Sequence, residues 1–147
     1  MSCLGWPITR LSSSKPEILS INLILLITFN LKFWSENSIS GSSSFYLGSI
    51  VSYTNKLKEE LVGVKNETLE ANGAVSGPVV KEMAENGRKK LGIDYCISVS
   101  GIAGPTGGTE EKPVGTVWVG IATPEATYTK RFNFGLNRER NIQATVL

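Results

Sequence analysis

The chain has 147 residues, enough for one domain that buries about two thirds of its unfolded surface in a single core. Its 15 Lys and Arg against 13 Asp and Glu leave a formal charge of +2, and the basic residues are scattered rather than gathered in a stripe, which argues against a nucleic-acid partner. There is no histidine, and Cys3 and Cys96 lie far apart without metal-ligand spacing, so imidazole bases and the usual zinc sites are excluded and a reduced, cytoplasmic chain is expected.

The first forty residues are rich in Ser, Leu, Ile and Asn and show neither a helical nor an alternating period. Their apolar stretch, Ile18–Phe33, falls short of the roughly 20 apolar residues a membrane span needs. Ser20, Asn22, Asn30 and Lys32 interrupt it, and no small-x-small cleavage site follows before Gly41. Neither a membrane anchor nor an export signal is expected.

From Gly41 the pattern becomes regular. "GSSSF" reads as a short helix or turn and "YLGSIVSY" as a strand. A helix follows in "NKLKEELVGV", with Leu57, Leu61, Val62 and Val64 at near-helical spacing. Residues 66–92 hold two helical runs; the second starts after Ser76 as N-cap, has Pro78 in its first turn, and ends at Gly92 behind Arg88, Lys89 and Lys90. "DYCISVSG", "GTVWVGIATP" and "ATYTKRFNFG" read as three strands, and "NRERNIQATVL" as the start of a helix. Helices interleaved with strands predict a layered α/β fold, and the adjacent late strands predict that part of its sheet is antiparallel.

"IAGPTGGTEEKP" leaves the carboxyl end of the first of these late strands, where open α/β sheets bind ligands. Gly101, Gly104, Gly107 and Gly108 can present backbone N–H groups to an anion, with Thr106 and Thr109 adding hydroxyls. The alternative is a plain hairpin connection in which Pro105 and the glycines serve only turn geometry. Tyr53 ends a strand and Lys58 lies five residues on, so the two side chains can converge at one sheet edge. In a chain without histidine, a desolvated lysine is a candidate general base for a hydroxyl nucleophile. The competing reading is an ordinary surface tyrosine beside a lysine on an exposed helix face.

The blocks "GSSSFYLGSIVSYTNKLKEELVGV", "ANGAVSGPVVKEMAENG", "SGIAGPTGGTEEKPVGTVWVGIATP" and "FGLNRER" resemble consecutive blocks of the CinA C-terminal domain family, also called the nicotinamide-nucleotide amidase or PncC family. The resemblance divides the chain into an atypical segment, residues 1–37, and a domain, residues 38–147, whose last helix is truncated. It implies a three-layer α/β/α sandwich on a mixed sheet. It also implies metal-independent hydrolysis of nicotinamide mononucleotide to nicotinic acid mononucleotide and ammonia by serine, lysine and tyrosine, with no cofactor. By resemblance Tyr53 and Lys58 are catalytic, and Gly41, Ser42, Ser43, Asn55, Gly101, Gly104, Thr106, Gly107, Gly108 and Thr109 contact the nucleotide. Homo-oligomers are compatible with it; metals, membranes and nucleic acid are not implied.

The family's nucleophile lies in a motif E-S-C-T-G-G at the end of its first strand. Counted back without gaps from Tyr53, that window is "LLITFN", Leu25 to Asn30, which holds no serine. Three accounts stand: residues 1–37 are frameshifted or unrelated sequence, the chain binds nucleotide without hydrolysing it, or another serine serves. Partial disorder of residues 1–35 is the expectation that follows from the first.

Overall fold

The computed structural model describes residues 23–27, 40 and 44–146. Strands β1 (Leu23–Ile27), β2 (Tyr46–Val51), β3 (Tyr95–Gly101), β4 (Thr116–Ala122) and β5 (Thr127–Asn133) form one sheet in the order β2-β1-β3-β4-β5. Helices α1 (Asn55–Val62), α2 (Asn66–Asn72) and α3 (Gly77–Leu91) lead from β2 to β3, and α4 (Arg138–Val146) follows β5. β1 runs parallel to both β2 and β3, whereas β3, β4 and β5 are successively antiparallel. This is the mixed α/β fold read from the sequence.

One strand lies where the residue pattern shows no element. Residues 1–35 show no strand period, yet Leu23–Ile27 form β1 between β2 and β3. An interior parallel strand reads as a continuous apolar run rather than an alternating one, and "LILLI" is such a run. The rest of the segment lies outside the described residues, as do Gly41, Ser42 and Ser43.

The helices end where their caps dictate. Thr54 Oγ1 accepts from Leu57 N at 3.2 Å to open α1, and Gly63, at φ 71°, closes it in the left-handed conformation that spares glycine a steric cost. Gly92 closes α3 the same way, behind Arg88, Lys89 and Lys90, whose charges suit the negative end of the helix dipole. Ser76 occupies the N-cap position of α3, but its side chain does not cap. Its hydroxyl donates to Gly73 O at 2.9 Å instead, tying the α2–α3 connection.

α3 is the helix on which this face of the sheet is built. Val79, Met83 and Ala84 pack with Cys96 of β3 and Ala122 of β4, and Val62, Val64, Leu69 and Ile93 complete the cluster. Burial pushes the Cys96 thiol up to about 12, so it acts as a packing residue. The helix backbone comes unusually close to the sheet: Ser98 Oγ donates to Val80 O, and a Cβ on Gly120 would lie 2.6 Å from Val80 O and 2.7 Å from Ser98 Oγ. Gly77 makes the matching contact at the helix start, where a Cβ would meet the Trp118 ring at 2.9 Å. These two glycines set the height of α3 over β4. Gly120→Val should therefore destabilise the fold by about 1–3 kcal/mol, the usual cost of overpacking, measured as a lowered urea midpoint with unchanged slope. A melt indistinguishable from the parent protein would show that α3 is not seated at that height.

Candidate functional site

Because β2, β1 and β3 are parallel neighbours, their carboxyl ends emerge side by side, with Ile27 paired to Val51 on one flank and to Val99 on the other. From this edge the chain after β1 moves towards β2, and the chain after β3 moves towards β4. The carboxyl ends of strands at such a reversal are the place where open α/β sheets take their ligands. The segment after β2 carries Ser52, Tyr53 and Lys58; the segment after β3 carries the glycine-rich loop, residues 102–115. β2 and β3 are two strand spacings apart, about 10 Å.

Lys58 is not on an exposed helix face. It is 2% exposed, the largest fully buried side chain among the described residues. Its Nζ donates to Ser52 O at 3.0 Å and to Tyr53 O at 3.3 Å. Desolvation lowers its pKa from the usual 10.5, because burial penalises the ammonium form. These two carbonyls take two of the amine's N–H groups and leave one position on the nitrogen at which a proton can be gained or lost. The side chain of Tyr53 does not share this burial: it is 70% exposed and meets Lys58 only through its backbone carbonyl. Asn55 is exposed at the start of α1.

The loop answers in two parts what its glycines are for. Much of the close approach is to the chain itself: a Cβ on Gly104 would fall 2.3 Å from Val114 Cγ1, and one on Gly108 would fall 2.6 Å from Val114 N. Thr109 closes a turn, its N–H donating to Lys112 O at 2.9 Å and its Oγ1 accepting from Lys112 N at 3.1 Å. Thr109 thus serves the turn, as the hairpin alternative requires. The other part is open. Among the described residues, the N–H groups of Ala103, Gly104, Thr106, Gly107 and Gly108 donate to no protein group, and residues 105–110 are exposed. Gly107 sits at φ 87° with no atom closer than 3.9 Å to its Cβ position, so the conformation, not crowding, calls for glycine there. Gly101 is the last residue of β3, paired with Val117.

Three residues of this edge were not singled out by sequence reasoning. Ser52 is fully buried and its hydroxyl has no hydrogen-bond partner among the described residues. Asn141, 2% exposed, donates through Nδ2 to Ala103 O at 3.0 Å and to Gly135 O at 2.9 Å, fastening α4 to the loop. Arg138 Nη1 donates to Gly104 O at 2.8 Å. The "FGLNRER" block holds Arg138 and ends just before Asn141, but only the fold brings the two to the loop after β3. The far limb of the loop is fastened as well, by Lys112 Nζ to Asn72 O and Arg131 Nη2 to Glu111 O at 2.8 Å. An open cleft of about 570 Å³ lies against that limb, between Trp118 and the start of α3. No group of three or more potential metal-ligating side chains exists among the described residues, and none of the described helices is long and apolar enough to cross a membrane.

The burial of Lys58 has a thermodynamic signature. Its folded pKa is lowered, so the desolvation cost is present in full while both folded and unfolded chains hold the proton. The cost is relieved as pH rises through the lowered folded value towards the unfolded value of about 10.4, where the unfolded chain binds more protons. Lys58→Met should therefore remove a rise in stability with alkaline pH that the parent protein shows, read from melts between pH 6 and pH 10.5. Parallel profiles for the two proteins would contradict the lowered pKa.

Residues 36–147 match the CinA C-terminal domain family. The chain is 48% identical over 108 residues to a CinA-like protein of Thermotoga maritima and 47% identical over 110 residues to one of Cytophaga hutchinsonii. These alignments cover 74% and 75% of this chain but 26% of each relative, so the chain spans about a quarter of the length of the curated relatives it matches. The crystal structure of the competence/damage inducible protein CihA from Agrobacterium tumefaciens superposes with a TM-score of 0.82 at 32% identity, covering 87% of this chain and 80% of that one. A CinA superfamily protein of Escherichia coli gives a TM-score of 0.80 at 26% identity, covering 86% and 75%. With the match over three quarters of its length and the same fold in solved relatives, this chain belongs to the CinA C-terminal domain family.

Proposed function

We propose that this domain binds nicotinamide mononucleotide across the edge of β2, β1 and β3, in a site built to hydrolyse its carboxamide to nicotinic acid mononucleotide and ammonia. The observation that supports this reading most is the buried, desolvated amine of Lys58, held by two carbonyls beside the carboxyl end of β1. Clustering of a perturbed lysine with unpaired loop donors in a sheet-edge crevice is the arrangement expected of a catalytic site. In this reading the carboxamide lies towards Lys58 and the phosphate towards Thr106, Gly107 and Gly108. Tyr53, Asn55, Gly101, Gly104 and Thr109 frame the ligand between them. Gly41, Ser42 and Ser43 belong to the same assignment.

The chemistry follows from an amine whose hold on its proton is weakened by burial. An attacking hydroxyl gives its proton to Lys58 Nζ as its oxygen bonds to the amide carbon. The proton then passes to the nitrogen that departs as ammonia, and water cleaves the resulting ester by the same route. By the family resemblance the hydroxyl comes from the carboxyl end of β1, where residues 25–30, "LLITFN", contain no serine and Thr28 as their one hydroxyl. That window favours a second reading, in which this chain binds the nucleotide without turning it over.

Both readings require binding, and ammonia release separates them. Nicotinamide mononucleotide at 100 times its dissociation constant should stabilise the folded chain by about 2.7 kcal/mol, measured by thermal denaturation. Stabilisation without ammonia assigns the chain to the binding reading; no stabilisation contradicts both. Replacing residues 25–30 by Glu-Ser-Cys-Thr-Gly-Gly should start ammonia release. Adding Lys58→Ala to that variant should lower the rate about 10²- to 10⁴-fold, the usual contribution of a general base. Gly107→Val, which forces a branched side chain to a positive φ at the exposed loop, should weaken binding itself.

A further inference from the structure

We infer that Arg138, at the start of α4, is the residue that recognises the charge of the ligand's phosphate monoester end and so selects phosphorylated over unphosphorylated ligands. The inference rests on the proposed nucleotide site and names the group that reads its anionic end.

Arg138 leaves most of its donors unused within the fold. A guanidinium offers five N–H donors in a rigid planar fork, and one of them, on Nη1, donates to Gly104 O. Among the described residues, Arg138 has no second hydrogen-bond partner and no carboxylate within ion-pair distance. Its remaining donors stand beside the loop whose own N–H groups at Thr106, Gly107 and Gly108 are also unpartnered. The other two cations that touch this loop are differently placed. Lys112 and Arg131 fasten its far limb, next to the carboxylate of Glu111.

The position is fixed from two sides. Asn137 Oδ1 accepts from Arg140 N at 3.0 Å and caps the helix that carries Arg138, and buried Asn141 ties the next turn to Ala103 O and Gly135 O. The guanidinium is therefore presented without a search over loop conformations, and little entropy is lost when it closes on an anion. Two parallel N–H···O bonds from one fork match the oxygen spacing of a phosphate, which a lysine ammonium does not.

Calorimetric titration tests this with three probes: nicotinamide mononucleotide, nicotinamide riboside lacking the phosphate, and inorganic phosphate alone. Arg138→Gln keeps an N–H donor for Gly104 O while removing the charge and the fork. It should weaken the mononucleotide about 10- to 100-fold, leave the riboside within about twofold, and abolish phosphate binding. Arg138→Lys should recover only part of the loss, and Asn141→Ala, which loosens the loop without touching charge, should weaken mononucleotide and riboside alike. Equal losses for mononucleotide and riboside in Arg138→Gln would make Arg138 a loop anchor and overturn the inference, as would no loss or a parent protein that binds neither mononucleotide nor phosphate. Arg138-dependent binding of phosphate with no added affinity from the nicotinamide end would sink the proposed function and leave this inference standing.

Discussion

A lysine amine out of water is the constraint around which the functional edge is arranged. The buried residues of α1 are Lys58 and Val62, one turn apart, while Leu61, which the helical period assigns to the core, is 39% exposed. The helix therefore docks through a cationic stem and one valine. Such docking is tolerable only if the amine finds acceptors, and those are the carbonyls of Ser52 and Tyr53 as the chain leaves β2. The direction of the turn after β2, the seat of α1 and the lowered pKa of Lys58 are one feature seen three ways. An apolar residue would fill the same volume without the desolvation cost, so the lysine points to chemistry rather than stability.

The glycine-rich loop is rigid by the same logic of satisfied carbonyls. Arg138 and Asn141 hold Gly104 O and Ala103 O on one side, and Lys112 and Arg131 hold Asn72 O and Glu111 O on the other. Three of its acceptors, Ala103 O, Gly104 O and Glu111 O, are taken by Asn141, Arg138 and Arg131, while its donors at Ala103, Gly104, Thr106, Gly107 and Gly108 have no protein partner among the described residues. Free N–H groups on such a loop are the donors that an anion would take. Lys112 and Arg131 fasten the far limb of the loop, and Arg138 fastens its start at Gly104 O.

Most of the fold was legible because local signals agreed with the tertiary structure. Gly63 and Gly92 stop helices where the sequence places stops, and the alternating and β-branched runs 95–101, 116–122 and 127–133 are all strands. β1 was not legible because its identity is tertiary: five apolar residues become a strand by lying between β2 and β3. Within the site, Lys58 was singled out by residue type and spacing, but its burial follows from how α1 docks. Ser52, Arg138 and Asn141 escaped notice because contacts 34 and 38 residues apart, such as Arg138 to Gly104 and Asn141 to Ala103, leave no trace in a local window. The loop glycines were read as ligand-facing; Gly104 and Gly108 are spent largely on Val114, and Gly107 keeps open space.

The central claim is that burial at the sheet edge lowers the pKa of Lys58, making its amine the base of the site. Its most direct test is a pH titration of the lysine side-chain carbons by heteronuclear NMR, with Lys58 assigned from the spectrum of Lys58→Met. The account predicts one lysine signal that titrates below the remainder, which cluster near the ordinary value of about 10.4. A Lys58 signal that moves with the surface lysines would mean the amine is solvated and charged at neutral pH, and the site would lose its base.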